Sequence, residues 1–191
     1  KPENVAVSND DSIWFTAPGL KSVIRLLPNK PQNQRFEPIS VSNYGQSPLE
    51  PGRIAVLGAF PYDFPWITVP SKDYIGPYFG GTTGTWGWYA LNNQNTGINS
   101  IFLQLAGNTY RTWFTEPNGN RAGLLITHKE SSHVVTLFEI PLPGTNPRPA
   151  GIVVDSGGTA WIAAPGTNAI LAWRSPYFNQ TFLPTLFRPR P

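Results

Sequence analysis

Trp113-Phe114-Thr115-Glu116-Pro117-Asn118 has three counterparts in the chain: Trp14-Phe15-Thr16-Ala17-Pro18-Gly19, Trp66-Ile67-Thr68-Val69-Pro70-Ser71 and Trp161-Ile162-Ala163-Ala164-Pro165-Gly166. The shared pattern is Trp, then Phe or Ile, then Thr or Ala, then any residue, then Pro. The Trp residues that open the four copies stand 52, 47 and 48 residues apart. A fixed period of this length is the mark of a repeat architecture.

Each copy sits inside a longer unit. An aliphatic run precedes each Trp by seven to ten residues: Val5-Ala6-Val7, Ile54-Ala55-Val56, Ile101-Phe102-Leu103 and Ile152-Val153-Val154. Turn residues lie between run and Trp, as in Ser8-Asn9-Asp10-Asp11 and Asp155-Ser156-Gly157-Gly158. After the Pro comes a third run: Val23 to Leu27, Tyr74-Ile75, Gly123 to Ile126, and Ala169 to Trp173. A fourth follows at Pro38 to Val41, Trp88 to Leu91, Val134 to Phe138, and Thr181-Phe182-Leu183. Four short strands per unit of ~48 residues is the composition of a propeller blade.

The chain is therefore expected to be all-β, a single β-propeller domain over residues 1–191. Its four blades fall near 1–48, 49–97, 98–147 and 148–187, with a tail at 188–191. Helix content is expected to be near zero. Three arrangements fit: a closed four-bladed ring, which the sequence favours, half of an eight-bladed dimer, or part of a larger propeller. Trp14, Trp66, Trp113 and Trp161 are expected on the second strands, filling the space between blades. Each such burial is worth about 2–3 kcal/mol.

Composition agrees with this reading. Pro and Gly number 21 and 18 of 191 residues, and charged residues make only 13%. Disordered chains are charged and poor in aromatics, whereas this one is 13% aromatic with seven Trp. Helical bundles are rich in Ala, Leu, Glu and Lys and poor in Pro. The net charge of +3 is scattered, so no nucleic-acid partner is expected. Arg188-Pro189-Arg190-Pro191 reads as a solvated end. No apolar run approaches the ~20 residues of a membrane helix, so no transmembrane segment is expected.

Cys and Met are both absent. No disulfide, zinc–thiolate site or cysteine nucleophile is available. With no initiator, Lys1 is expected not to be the translated start. Scarce Lys, abundant Asn, Gly and Pro, and the absence of sulfur suit an extracellular, periplasmic or cell-envelope location. Asn179-Gln180-Thr181 is an acceptor sequon in a glycosylating host.

The units resemble the streptogramin B lyase (virginiamycin B lyase-like) β-propeller family. Phe138-Glu139-Ile140-Pro141-Leu142-Pro143, followed by Gly151 to Asp155 and Trp161, is similar to that family's junction between blades. Trp113-Phe114-Thr115-Glu116 is similar to its recurring blade motif. The resemblance implies a propeller, and the family's enzymes have seven blades where this chain has room for four. It also implies an eliminase that opens a cyclic depsipeptide with a metal-assisted general base. Histidine and glutamate would stand at the channel mouth, and Mg²⁺ would be the cofactor under this alternative alone.

Candidates for that chemistry are few. The two histidines are His128 and His133, with Glu116 and Glu130 as their nearest carboxylates. The position before the repeated Pro is Ala17, Val69, Glu116 and Ala164, so one of four is ionisable. Glu116 is expected near the channel mouth, at the surface. The histidines are expected far from the axis. No Glu-x-His pairing follows Glu116. No Gly-x-Ser-x-Gly elbow, phosphate loop or His-Glu-x-x-His helix is present. Gly80 to Gly84 reads as a hairpin turn, as do Asp10-Asp11 and Asp155.

The strongest functional signal is aromatic. Trp86 and Trp88 have the alternate spacing that shares one strand face. Tyr78, Phe79 and Tyr89 are close in sequence. On an outer strand, part of this cluster should meet solvent and bind a partner. The other reading is packing against the neighbouring blade. The favoured function is a non-catalytic binding or structural module within a protein assembly, with no cofactor. A glycan is a second class of partner. A small-molecule substrate belongs to the lyase alternative alone.

Overall fold

A computed structural model describes residues 1–42, 47–59, 62–80, 84–129, 134–174 and 186–187. Among these the chain is all β, with short 3₁₀ turns and no α-helix. It forms two compact units, Lys1–Asn95 and Thr96–Pro191.

The first unit holds two antiparallel sheets. One runs β1 (Val5–Val7), β2 (Ile13–Ala17), β3 (Ser22–Leu26) and β4 (Phe36–Ser40), in that order. The other runs β5 (Ile54–Ala59), β6 (Tyr62–Val69), β7 (Tyr74–Phe79) and β8 (Thr85–Trp86), with β9 (Tyr89–Ala90) also paired to β7. Of the run expected from Trp88 to Leu91, only Tyr89–Ala90 is strand, and a second short strand, Thr85–Trp86, precedes it across Gly87 and Trp88.

The second unit repeats the arrangement. Its first sheet is β10 (Ile101–Ala106), β11 (Thr109–Glu116), β12 (Arg121–His128) and β13 (Val134–Pro141). Its second is β14 (Gly151–Val154), β15 (Thr159–Ala164), β16 (Ala169–Arg174) and β17 (Leu186–Phe187). The described outer strand here is Leu186–Phe187. The expected run Thr181-Phe182-Leu183 and the sequon lie outside the described residues.

The repeated Pro ends the second strand. Its ring removes a backbone donor and fixes φ, so the ladder cannot continue through it. Pro18, Pro70 and Pro165 each open a 3₁₀ turn. Three residues later comes a left-handed residue: Lys21, Asp73, Asn120 and Asn168, with φ between 47° and 53°. After glycine, Asn and Asp tolerate this conformation best, and three of the four are Asn or Asp. The carbonyls of Lys21, Asp73 and Asn120 then accept the N–H groups of Val41, Leu91 and Leu142 at 2.9–3.0 Å. Those bonds tie each outer strand's end back to the turn.

The Thr of the motif has an equally local reason. Thr16, Thr68 and Thr115 are fully buried. Their hydroxyls accept the N–H groups of Asn4, Arg53 and Ser100 at 2.9–3.2 Å. Buried hydroxyls need such a partner. The fourth copy has Ala163 there, and Ala163 is exposed.

Packing within each unit has one polarity. In the first, the Trp14 side of the β1–β4 sheet meets Ile54, Ile67 and Val69 of the next sheet. In the second, the Trp113 side of the β10–β13 sheet meets Ile152, Ile162 and Leu171. The Trp face of one sheet therefore covers the plain face of its successor. Trp14, Trp66 and Trp113 are buried as expected. Trp161 is not: it is half-buried, and its Nε1–H donates to Asp155 Oδ2 at 2.9 Å. Among the described residues of its unit, no other sheet packs against this face.

Candidate functional site

The aromatic cluster forms, but it points inward. Tyr78 and Trp86 are opposite each other in the β7–β8 ladder, with ring centroids 5.0 Å apart. Both are buried in the core between the first two sheets. Trp86 stacks on Trp88 at 5.6 Å, and Trp88 on Tyr74 at 6.1 Å. The two indole N–H groups donate to the carbonyls of Ser40 and Ser42, both at 3.0 Å. Of the two readings of the cluster, Trp86 and Tyr78 follow the one in which they pack against the neighbouring sheet, and neither is part of a solvent-facing binding surface. The short hairpin folds β8 back along β7 and turns both rings toward the preceding sheet. Trp88, Phe79 and Tyr89 are half-buried. Phe79 meets Phe64 edge-on at 6.2 Å, and Tyr89 stacks on Trp66 at 5.7 Å.

Glu116 is also misplaced by the sequence reading. It is fully buried rather than at the surface. Its matching positions Ala17, Val69 and Ala164 are buried too, so the site before the repeated Pro is an interior one in every copy. Glu116 pairs with Arg121 at one end of the β11–β12 ladder, and His128 pairs with Thr109 at the other. Seven residue steps separate the two ends, about 23 Å of strand. His128 is exposed. His133 and Glu130 lie outside the described residues.

A general base must reach its proton within hydrogen-bond distance, so Glu116 and His128 cannot act on one substrate atom. A Mg²⁺ ion needs oxygen ligands within 2.1 Å of one centre. Among the described residues no three His, Asp or Glu side chains gather to hold a metal. Glu116 and His128 do not fit the Mg²⁺ that the family resemblance implies.

The acidic turns are structural. Asp10 Oδ1 accepts the Ser12 N–H at 2.9 Å, and its Oδ2 meets Arg25 at 2.7 Å. The Arg25 guanidinium lies 5.1 Å above the Trp14 ring. Partial burial pushes the Asp10 carboxyl up, but the Ser12 hydrogen bonds and Arg25 together outweigh it and hold it below its ordinary value. Asp155 is lowered by hydrogen bonds from the Trp161 indole and the Thr159 backbone. A depressed folded-state value stabilises the fold above the ordinary carboxylate value near 3.8. That contribution is lost as pH falls through the folded value. The thermal midpoint is therefore expected to drop from about pH 5 to about pH 2. Asp10→Asn together with Asp155→Asn should flatten that part of the curve; an unchanged slope would refute the assignment.

A shallow cleft of about 610 Å³ opens in the first unit, lined by Lys21, Ser47, Leu49, Glu50, Ser71 and Lys72. Its two lysines share it with Glu50, and all the lining polar residues are exposed.

Two broad apolar faces remain. On the β1–β4 sheet, cross-strand rows place Val5, Phe15, Ile24 and Pro38 together, beside Val7, Ile13, Leu26 and Phe36. Val5, Val7 and Phe36 are 61%, 64% and 58% exposed. On the β14–β16 ladder, Val153, Trp161 and Ala172 form one row, and Ala163 and Ile170 lie in the next. Val153 and Ile170 are 57% and 51% exposed. No signal in the local sequence separates these residues from their buried counterparts. The alternation of each strand does show that both its faces are apolar.

No family model and no curated protein matches the sequence. Solved structures do. A catalytically inactive virginiamycin B lyase from Staphylococcus aureus, determined with quinupristin, matches with a TM-score of 0.75 and 20% identity, over 98% of this chain and 55% of that one. A streptogramin B lyase structure matches with a TM-score of 0.74 and 21% identity, over 98% and 54%. The periplasmic gluconolactonase of Pseudomonas aeruginosa gives 0.68 and 15%, over 96% and 53%. The chain spans about half the length of these proteins. The likeness establishes a propeller-like fold of the virginiamycin B lyase kind.

Proposed function

We propose that this chain is a non-catalytic propeller module, exported or on the cell envelope, that builds or binds a larger protein assembly. Its four sheets are its four blades. The observation that carries this reading is the pair of open apolar faces around Val5 and Phe36 and around Trp161 and Ile170. Contiguous exposed apolar surface of this kind marks association sites. The burial of Glu116 and its distance from His128 weigh against catalysis. A glycan is a weaker fit, because Trp86 and Tyr78 are inside the core.

A lyase-like eliminase is the second reading, favoured by the likeness to virginiamycin B lyase. Incubation with Mg²⁺ and quinupristin, followed by mass spectrometry, separates the two. No linearised product is expected, and Glu116→Gln should leave that result unchanged. Turnover that Glu116→Gln abolishes would overturn the non-catalytic reading. In parallel, the dye 8-anilinonaphthalene-1-sulfonate should brighten on the dilute chain and much less on Val7→Lys. Equal brightening would mean that this face is not an association surface.

A further inference from the structure

We propose that the cleft of the first unit binds an acidic peptide segment of a partner protein, with Lys21 and Lys72 taking its carboxylates. None of the residues that line this cleft belongs to the open apolar faces.

Each unit has one junction between two sheets, and the two junctions differ. Their connectors start and finish alike. Val41 donates its N–H to the Lys21 carbonyl, and Leu142 donates to that of Asn120. The Gly52 N–H then bonds the Thr68 carbonyl at 2.8 Å, and the Ala150 N–H bonds that of Ala163 at 2.9 Å. Between these points the second unit's connector is tied to both neighbouring turns. Asn120 Oδ1 accepts the Arg148 N–H at 3.0 Å. The Gly166 N–H donates to the Pro147 carbonyl at 3.0 Å. A Cβ on Gly166 would collide with the Asn146 carbonyl oxygen, so only glycine lets the connector come so close.

The first unit has neither device. Lys21 stands where Asn120 does, and an ammonium accepts no hydrogen bond. Ser71 stands where Gly166 does, and it carries the Cβ that the closed junction excludes. The first connector is also three residues longer. The space stays open as the cleft of about 610 Å³.

The turns that leave it open also charge it. Lys72 stands where Thr167 does, so each turn brings one lysine. Among the described residues neither lysine is ion-paired. Lys21 holds a left-handed backbone, φ 50°, where the other three copies have Asp73, Asn120 and Asn168. Asn and Asp bond locally in that conformation and lysine does not. A ligand for its charge accounts for Lys21; the turn does not.

Two ammonium groups hold two carboxylates by charge-assisted hydrogen bonds. Ser47 and Ser71 can donate or accept, and Glu50 accepts N–H groups, which an extended peptide offers along its length. Leu49 supplies a buried apolar floor. A free small molecule fits less well. Such sites enclose about 70–90% of their ligand within mostly apolar walls, whereas this cleft is shallow and its polar lining is exposed. A segment of a larger partner needs no such enclosure.

Fluorescence anisotropy with a fluorescein-labelled peptide of alternating aspartate and alanine tests this. A lysine–alanine peptide of equal length is its control. Only the acidic peptide is expected to bind, and it should be released as salt rises from about 20 mM to about 300 mM. Lys21→Asn and Lys72→Thr install the residue types of Asn120 and Thr167, so both should fold normally by circular dichroism. Each should weaken binding at least about tenfold. Lys21→Asn should also raise the urea midpoint, because Asn suits the left-handed position. Lys30→Gln removes the same charge outside the cleft and should leave binding unchanged.

No binding of the acidic peptide, or equal binding of the two peptides, would overturn the proposal. So would Lys21→Asn and Lys72→Thr variants that bind as the parent does. Inorganic phosphate that displaces the peptide at equal concentration would make this an ion site and overturn the peptide assignment. Dye binding at Val7 is independent of all these results, so the association reading and this one fail separately.

Discussion

Trp113→Ala is expected to remove about 3–5 kcal/mol of stability, independent of protein concentration. Trp113 has no exposed surface and meets Trp173 edge-on at 5.1 Å. It touches the core that joins the two sheets of the second unit. Truncation would leave a cavity under Leu124, and under Ile162 of the next sheet. Rigid ladders on both sides would keep that cavity from collapsing. Trp161→Ala makes the informative comparison. It occupies the same repeat position but is half-buried in one chain. Its cost should be well under that of Trp113→Ala. Urea unfolding followed by far-ultraviolet circular dichroism reads both. Equal losses would show that the two Trp positions are equivalent, contrary to the packing described.

Gly76→Ala is expected to be as damaging or worse, at more than about 3 kcal/mol. A Cβ built on Gly76 falls 1.8 Å from the Gly87 carbonyl oxygen and 3.1 Å from the Trp88 ring. The oxygen is backbone and cannot rotate aside. Gly87 must move, and with it the segment that delivers Trp86 and Trp88 to the core. The Gly87 N–H bond to the Pro77 carbonyl, 2.9 Å long, would break first. Gly19→Ala is the control, since nothing lies within 4 Å of its added carbon. The expected outcome is poor expression or a much lower urea midpoint for Gly76→Ala, with Gly19→Ala close to the parent. A near-native Gly76→Ala would mean that the Trp86 hairpin sits differently over β7.

Much of the architecture was legible in the chain. The Trp-to-Pro motif, its spacing and the flanking runs foretell four sheets of antiparallel strands, because period-2 patterning and turn residues act locally. The hairpin turns at Asp10 and Asp155 follow for the same reason: a short acidic side chain bonds the backbone two to four residues on. The left-handed residue three places after each Pro was present in the sequence as Lys21, Asp73, Asn120 and Asn168, and the pattern is evident once the turn is seen.

Burial was not legible. Trp161 and Trp113 share one motif, yet one lies in a core and the other on an open face, because burial depends on whether another sheet arrives. Glu116 looked like a surface carboxylate from its turn, and Trp86 like a rim aromatic from its outer strand. Both are inside, since the neighbouring residues that enclose them come from distant parts of the chain. Local chemistry determines strands and turns within a few residues. Which face of each sheet is covered, and so which residues remain to bind anything, is decided only when sheets stack.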